Sequence, residues 1–186
     1  TSNAAVKSKE AGIAYLVKDT IVVGGSLSNI TSAAGSSWKQ VAIAAANINT
    51  DISLALAGLV DGSYSLYAVD AVGNLSAAST NKVIVDTVAP TLTMSTQIFS
   101  SAISTSNAAV QSSEASTAYL VKDTIVVGGS LSNITSAADS SWNQVAIAAA
   151  NINAPISLAL AGLGDGSYSL YAVDAAGNLS AASANK

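Results

Sequence analysis

The side chains able to do chemistry in this chain are carboxylates, amides and hydroxyls, because its 186 residues include no His and no Cys. Without imidazole, the usual general base and the commonest metal ligand are missing. Without thiols there are no disulfides, no Cys-ligated zinc and no thiol nucleophile. Ser is abundant, but a hydroxyl nucleophile needs a neighbouring base to activate it. Eleven acids remain: Glu10, Asp19, Asp51, Asp61 and Asp70, then Asp86, then Glu114, Asp123, Asp139, Asp165 and Asp174. A carboxylate pair cleaving glycosides would want an aromatic-lined cleft, and aromatic residues make up only 5% of the chain. The expectation is therefore a protein that is not an enzyme. What carboxylates and amide oxygens do suit is a hard cation such as calcium, which takes about six to eight oxygen ligands.

Other classes are disfavoured by charge and hydropathy. The net charge is −4, and the seven lysines are scattered at positions 7, 9, 18, 39, 82, 122 and 186. Nucleic-acid binding draws on clustered cations, so no nucleic-acid partner is expected. No apolar run approaches the roughly 20 residues that cross a bilayer, so no membrane insertion is expected. Half the residues are hydrophobic, yet Phe99 is the only Phe, Met94 the only Met, and Trp38 and Trp142 the only Trp. Small side chains bury little area each, which points to a thin core between two facing sheets.

The strongest signal is internal repetition. Thr1-Ser2-Asn3-Ala4-Ala5-Val6 returns as Thr105-Ser106-Asn107-Ala108-Ala109-Val110, and the offset of 104 holds without gaps to Lys82 and Lys186. Over those 82 aligned positions 71 are identical. A solenoid repeat runs about 20–50 residues, so this period is that of a whole domain. Residues 83–104 occur once, between the copies. They hold Val85-Asp86-Thr87-Val88-Ala89-Pro90 and the alternating Thr91-Leu92-Thr93-Met94. Pro suits a linker or a strand start, which places the boundary at residues 86–90. Residues 1–86 then form a domain expected to lack its first strand, and residues 87–186 a nearly complete one. A missing first strand leaves an unpaired sheet edge, and pairing with another chain is the expected consequence.

Period-2 alternation marks strands at residues 65–69 and 169–173, 117–121, 124–127 and 156–160. Gly24-Gly25, Gly128-Gly129, Asp61-Gly62 and Asp165-Gly166 mark turns. Short strands at this spacing indicate a sandwich. Leu27, Ile30, Ala33 and Ala34 fall at near-helical spacing, compatible with a short helix before a strand at residues 38–43. Trp38 and Trp142, beside Val and Ile, are expected in the core. Tyr64 and Tyr168 fit a tyrosine corner, in which the ring packs and the hydroxyl ties back to upstream backbone.

Gly62-Ser63-Tyr64-Ser65-Leu66-Tyr67-Ala68-Val69-Asp70-Ala71-Val72-Gly73-Asn74-Leu75-Ser76, with its copy at residues 166–180, resembles strand F, the F–G turn and the start of strand G in fibronectin type III and bacterial Ig-like domains. The linker at residues 85–90 resembles the domain-start signature of bacterial Ig-like repeats. Such repeats form the extender regions of large calcium-dependent adhesins, including RTX-type ones, although no glycine-aspartate nonapeptide occurs here. The resemblance implies an all-β chain of tandem Ig-like or fibronectin III-like β-sandwiches arranged end to end. It also implies an extracellular or bacterial cell-surface location, with neighbouring repeats of the same chain as partners.

In that topology the linker, the B–C loop and the F–G turn share one end of a domain. Asp86, Glu114, Asp174 and Asn178 should converge there on calcium, with Asp61 facing the same junction from the far end of the first domain. Glu10 and Asp70, with Asn74, would form a weaker site in the first domain. The function expected is that of a structural spacer with calcium-stiffened junctions, because near-identical copies suit a length-setting role. The alternative is a carbohydrate- or protein-binding module of a secreted protein or polysaccharide-degrading enzyme, with loops at a domain end as its site.

Overall fold

The computed structural model describes residues 2–99 and 106–186, and there the chain is built of antiparallel strands with two five-residue α-helices and a few 3-10 turns. Thr1 and Thr105, which open the two sequence copies, lie outside the described residues. The chain divides into two compact units, Thr1–Asp86 and Thr87–Lys186.

The first unit contains β1 (Asn3–Val6), β2 (Gly12–Lys18), α1 (Leu27–Thr31), β3 (Trp38–Ile43), β4 (Ile52–Ala55), β5 (Gly62–Asp70) and β6 (Lys82–Val85). β1 pairs with β4, Asn3 opposite Ala55 and Val6 opposite Ile52. The other sheet runs β3-β2-β5-β6. Its register sets Gly12 opposite Ile43 on one side and Asp70 on the other, with Gly62 opposite Val85. Strand alternation decides which residues go inside. Ala4 and Val6 of β1 point inward with Leu54 of β4, and meet Leu16, Ile43 and Tyr64 from the larger sheet in one core. Each large apolar side chain so buried contributes roughly 1.5–3 kcal/mol.

The larger sheet is covered on its other face too. Tyr15, Val17 and Val69 alternate with the first set and join Val23 and Ile30 in a second core. Residues 19–37 supply that cover, and α1 seals it with Ile30, whose exposure is 0%. Gly24 and Gly25, at φ 56° and 75°, make the turn into α1 in a backbone region that favours glycine. Because β2 is buried on both faces, Ala14, Tyr15, Leu16 and Val17 form an unbroken apolar run.

The second unit contains β7 (Leu92–Thr93), β8 (Asn107–Ser112), β9 (Ser116–Lys122), α2 (Leu131–Thr135), β10 (Trp142–Ile147), β11 (Ile156–Ala159) and β12 (Tyr168–Asp174). Its sheets run β11-β8-β7 and β10-β9-β12. Both cores recur, one around Val110, Leu120, Leu158 and Leu170 and the other around Tyr119, Val121 and Ile134. Two strands distinguish the units. Among the described residues, β6 pairs only in the first and β7 only in the second, where Leu92 lies opposite Ser112 and Thr93 opposite Gln111.

Two expectations are corrected. Residues 124–127 are not a strand, because their backbone closes turns. The Ile125 N–H donates to the Lys122 carbonyl at 2.9 Å, and the Val127 carbonyl accepts from Ser130 N–H at 3.0 Å and Asn133 Nδ2 at 3.0 Å. Trp38 and Trp142 are half-buried, on the second core and not between the sheets. Each leans on a tyrosine (Tyr15 and Tyr119), with ring centroids 6.0 Å apart.

Candidate metal centre

Asp70 and Asp174 end β5 and β12, and the local sequence dictates what they do. In Asp-Ala-x-Gly-Asn the chain reverses immediately, and a short acid caps the turn by accepting from backbone ahead of it. Asp70 Oδ1 accepts from Val72 N–H at 3.0 Å and Asn74 N–H at 2.8 Å, and its Oδ2 from Asn74 Nδ2 at 2.7 Å. In the second unit Asp174 Oδ1 accepts from Asn178 N–H at 2.9 Å and Oδ2 from Asn178 Nδ2 at 2.7 Å. Burial raises the Asp174 carboxyl, but the Asn178 side chain and the turn amides outweigh it and leave the group below its ordinary value. Hydrogen bonds from Asn74 hold Asp70 low as well. Both acids are therefore ionised at neutral pH and held in fixed rotamers.

The second unit adds two more acids to this turn. One carboxylate oxygen from each of Asp86, Glu114 and Asp174 lies within 4.8 Å of the others, and all three residues are partly buried at those groups. Glu114 follows β8 in the loop to β9, where Ser116 Oγ donates to the Glu114 carbonyl at 3.2 Å and to Ser112 Oγ at 3.0 Å. Asn178 completes the surroundings. Its Nδ2 holds Asp174 and reaches the Val88 carbonyl at 3.4 Å, so only its Oδ1 has the chemistry to ligate a cation. Three carboxylates with no imidazole or thiol nearby form a hard-oxygen donor set.

Among the described residues this is the one group of three acids so gathered. Asp61, expected to face this junction, does not belong to it, and Glu10 and Asp70, expected at a separate site, lie in the first unit. Glu10 sits in an exposed loop, where its N–H donates to Ser8 Oγ at 3.2 Å. The register of β5 against β6 brings Asp61 and Asp86 to the same end of that strand pair, yet Asp61 is not among the three.

A second polar cluster went unread in the sequence. Asp19 accepts from Ser65 Oγ at 2.7 Å and pairs with Lys82. Asp123 repeats this with Ser169 at 2.7 Å and Lys186 at 2.9 Å. Lys82 above all, then Ser65 and Ser63, hold the Asp19 carboxyl at about 2. The available signal was its recurrence at the same offset of 104. The tyrosine corners are present: Tyr64 hydroxyl donates to the Val60 carbonyl at 2.6 Å, and Tyr168 hydroxyl donates to the Gly164 carbonyl. Both Trp rings are half-buried and tilted at 44° and 43° to their tyrosines. No helix among the described residues is long and apolar enough to cross a membrane. No family model, curated protein or solved structure matches the chain.

Proposed function

We propose that this chain is a length-setting segment of a bacterial surface protein, built of Ig-like β-sandwich repeats whose linker is tied down by calcium. The observation that carries the reading is the repetition itself. Two copies share 71 of 82 residues, and the sharing extends to the Asp19 and Asp123 ion pairs, both tyrosine corners and both cores. A ligand-binding pair would concentrate its differences in one set of loops; here eight of the eleven differences fall outside the strands of the first unit but are spread over five separate connections. Nothing catalytic is required of such a segment, and the lack of His and Cys costs it nothing.

The sandwich part of the reading is supported by the strand orders: β1-β4 and β3-β2-β5-β6 contribute side chains to one core, as two facing sheets would. The metal part rests on the three gathered acids. A calcium ion among them would cancel their mutual repulsion and tie Asp86, the residue before the second unit, to the loop and turn of that unit. Asp86, Glu114 and Asp174 would hold the ion, and Asn178 would keep Asp174 in place.

Thermal unfolding with EDTA and with millimolar calcium tests this. Calcium should raise the melting temperature of the second unit by several degrees, as binding to the folded state alone requires. Asp86→Asn combined with Glu114→Gln should abolish the rise and leave the Asp174 turn intact. A wild-type protein that melts identically in both buffers would remove calcium from the reading, and the spacer role would then stand on repetition alone.

A further inference from the structure

The two units share β1 and β8 residue for residue over Asn-Ala-Ala-Val, but the outer edges of these strands differ. β8 is paired on both sides, by β11 and by β7. Beyond β7 the chain stays on that edge. Gln97 replaces a strand with its side chain, its Oε1 accepting from Ala109 N–H at 3.1 Å and its Nε2 donating to the Ala109 carbonyl at 3.1 Å. Ser113 N–H donates to the Thr91 carbonyl at 2.9 Å. Met94 enters the core at 5% exposure and Leu92 packs beside it. Asn185 Nδ2 fastens the segment from the far side, donating to the Met94 carbonyl at 2.7 Å.

In the first unit β1 pairs with β4 alone among the described strands. By the alternation of an antiparallel edge, the N–H and C=O of Ala5, equivalent to Ala109, point outward. The residues beneath are the same and are less covered. Leu170, Ala172 and Leu160 are buried at 0%, 0% and 6%, whereas Leu66, Ala68 and Leu56 are each partly exposed. Ser112 is 1% exposed, and its equivalent Ser8 is partly exposed. The seat that Leu92 and Met94 occupy in the second unit is thus present in the first, lined by the same side chains, with Asn81 as the equivalent of Asn185.

We infer that the outer edge of β1 is a docking site for an extended peptide segment of the Thr91–Gln97 type, one carrying apolar residues at alternate positions and an amide side chain three residues later. The occupant adds antiparallel to β1, seats its two apolar side chains over Leu56 and Leu66, and pairs its amide with Ala5. A second copy of this chain is a poor donor, because giving up its own segment would open one edge to close another. The donor is a segment of this chemistry that is not already engaged. One contact of the second unit is not reproduced: Lys9 stands in place of Ser113, whose Oγ accepts from Thr91 N–H at 2.9 Å. The inference stands on the comparison of the units and is independent of calcium.

The test uses the full chain and a synthetic peptide with the sequence of residues 87–99. Saturable one-to-one binding is expected, since the second unit already holds its own segment. Amide hydrogen exchange should slow about tenfold or more at Ala5 and Lys7, whose N–H groups face outward, and little at Ala4 and Val6, already paired to β4. A peptide carrying Leu92→Asp and Met94→Asp should not bind. Ala5→Pro removes an outward N–H from an edge strand, a position where proline is tolerated, and should weaken binding at least tenfold. If that variant loses native exchange protection, the peptide variants carry the test. No binding, or binding that ignores the two Asp substitutions or leaves Ala5 and Lys7 exchanging freely, would overturn the inference.

Discussion

Asp19 sits where β2 ends, and its carboxylate meets Lys82 and Ser65, which are 63 and 46 residues away in sequence. The pairing ties the start of β6 to the end of β2, so the charge acts as a latch on strand order. Its pH dependence has a definite sign. The folded carboxyl is held at about 2 against an ordinary 3.8. A depressed folded value means stability that is complete above the unfolded value and is lost as pH falls through the folded one. The window for the first unit is therefore about pH 4 down to 2. Asp123 is lowered as well: burial raises it, but Lys186, Ser169 and Ser167 outweigh burial. Asp19→Asn should lower the denaturation midpoint at pH 7 and flatten the acid limb between pH 4 and 2. Urea titrations across that range check this, and an unchanged acid limb would show that the ion pair adds no net stability. Because Lys82 is half-exposed, added salt should shrink the effect.

At the scale of elements, the cover over the second core decides how much each sheet buries. α1 and α2 are too short to stand alone, and they hold because Ile30 and Ile134 are fully enclosed. Ile30→Ala removes a buried side chain from a packed site and should cost about 2–4 kcal/mol in the first unit. The readout is a shifted urea midpoint at constant slope, and Ile134→Ala should do the same in the second unit. A loss under 1 kcal/mol would mean that the cover is loose. The helical spacing of Leu27 and Ile30 made α1 readable, and strict alternation made β5 and β12 readable. The second core was not readable. Ala14-Tyr15-Leu16-Val17 looks the same whether one face is buried or two, and only the fold-back of residues 19–37 decides. The misread of residues 124–127 has the same origin, since their alternation reflects Ile125 and Val127 reaching that core from a loop. The acids of the candidate centre were legible through their loops, which topology places at one end. Loop membership does not fix distances of a few ångströms, however, and Asp61 falls outside the group for that reason.

For the whole molecule, the stretch that matters is residues 86–90, where the first unit gives way to the second. Pro90 fixes its own φ, and the Val88 carbonyl accepts from Asn178 Nδ2 at 3.4 Å. Asp86 is the side chain placed to restrain this stretch, since it is the last residue before the second unit and its carboxylate belongs to the group with Glu114 and Asp174. If calcium joins these three, the linker is tied at Asp86 to the loop and turn of the second unit. Small-angle scattering should then report a narrower distribution of dimensions with calcium than with EDTA. Asp86→Asn should remove the response. Asp70→Asn should keep it, because Asp70 holds the equivalent turn in the first unit but belongs to no such group. The pair of variants separates a restrained linker from a general tightening by salt, which would survive both substitutions. A response that persists in Asp86→Asn would mean that calcium acts elsewhere and not through the group that Asp86 forms with Glu114 and Asp174.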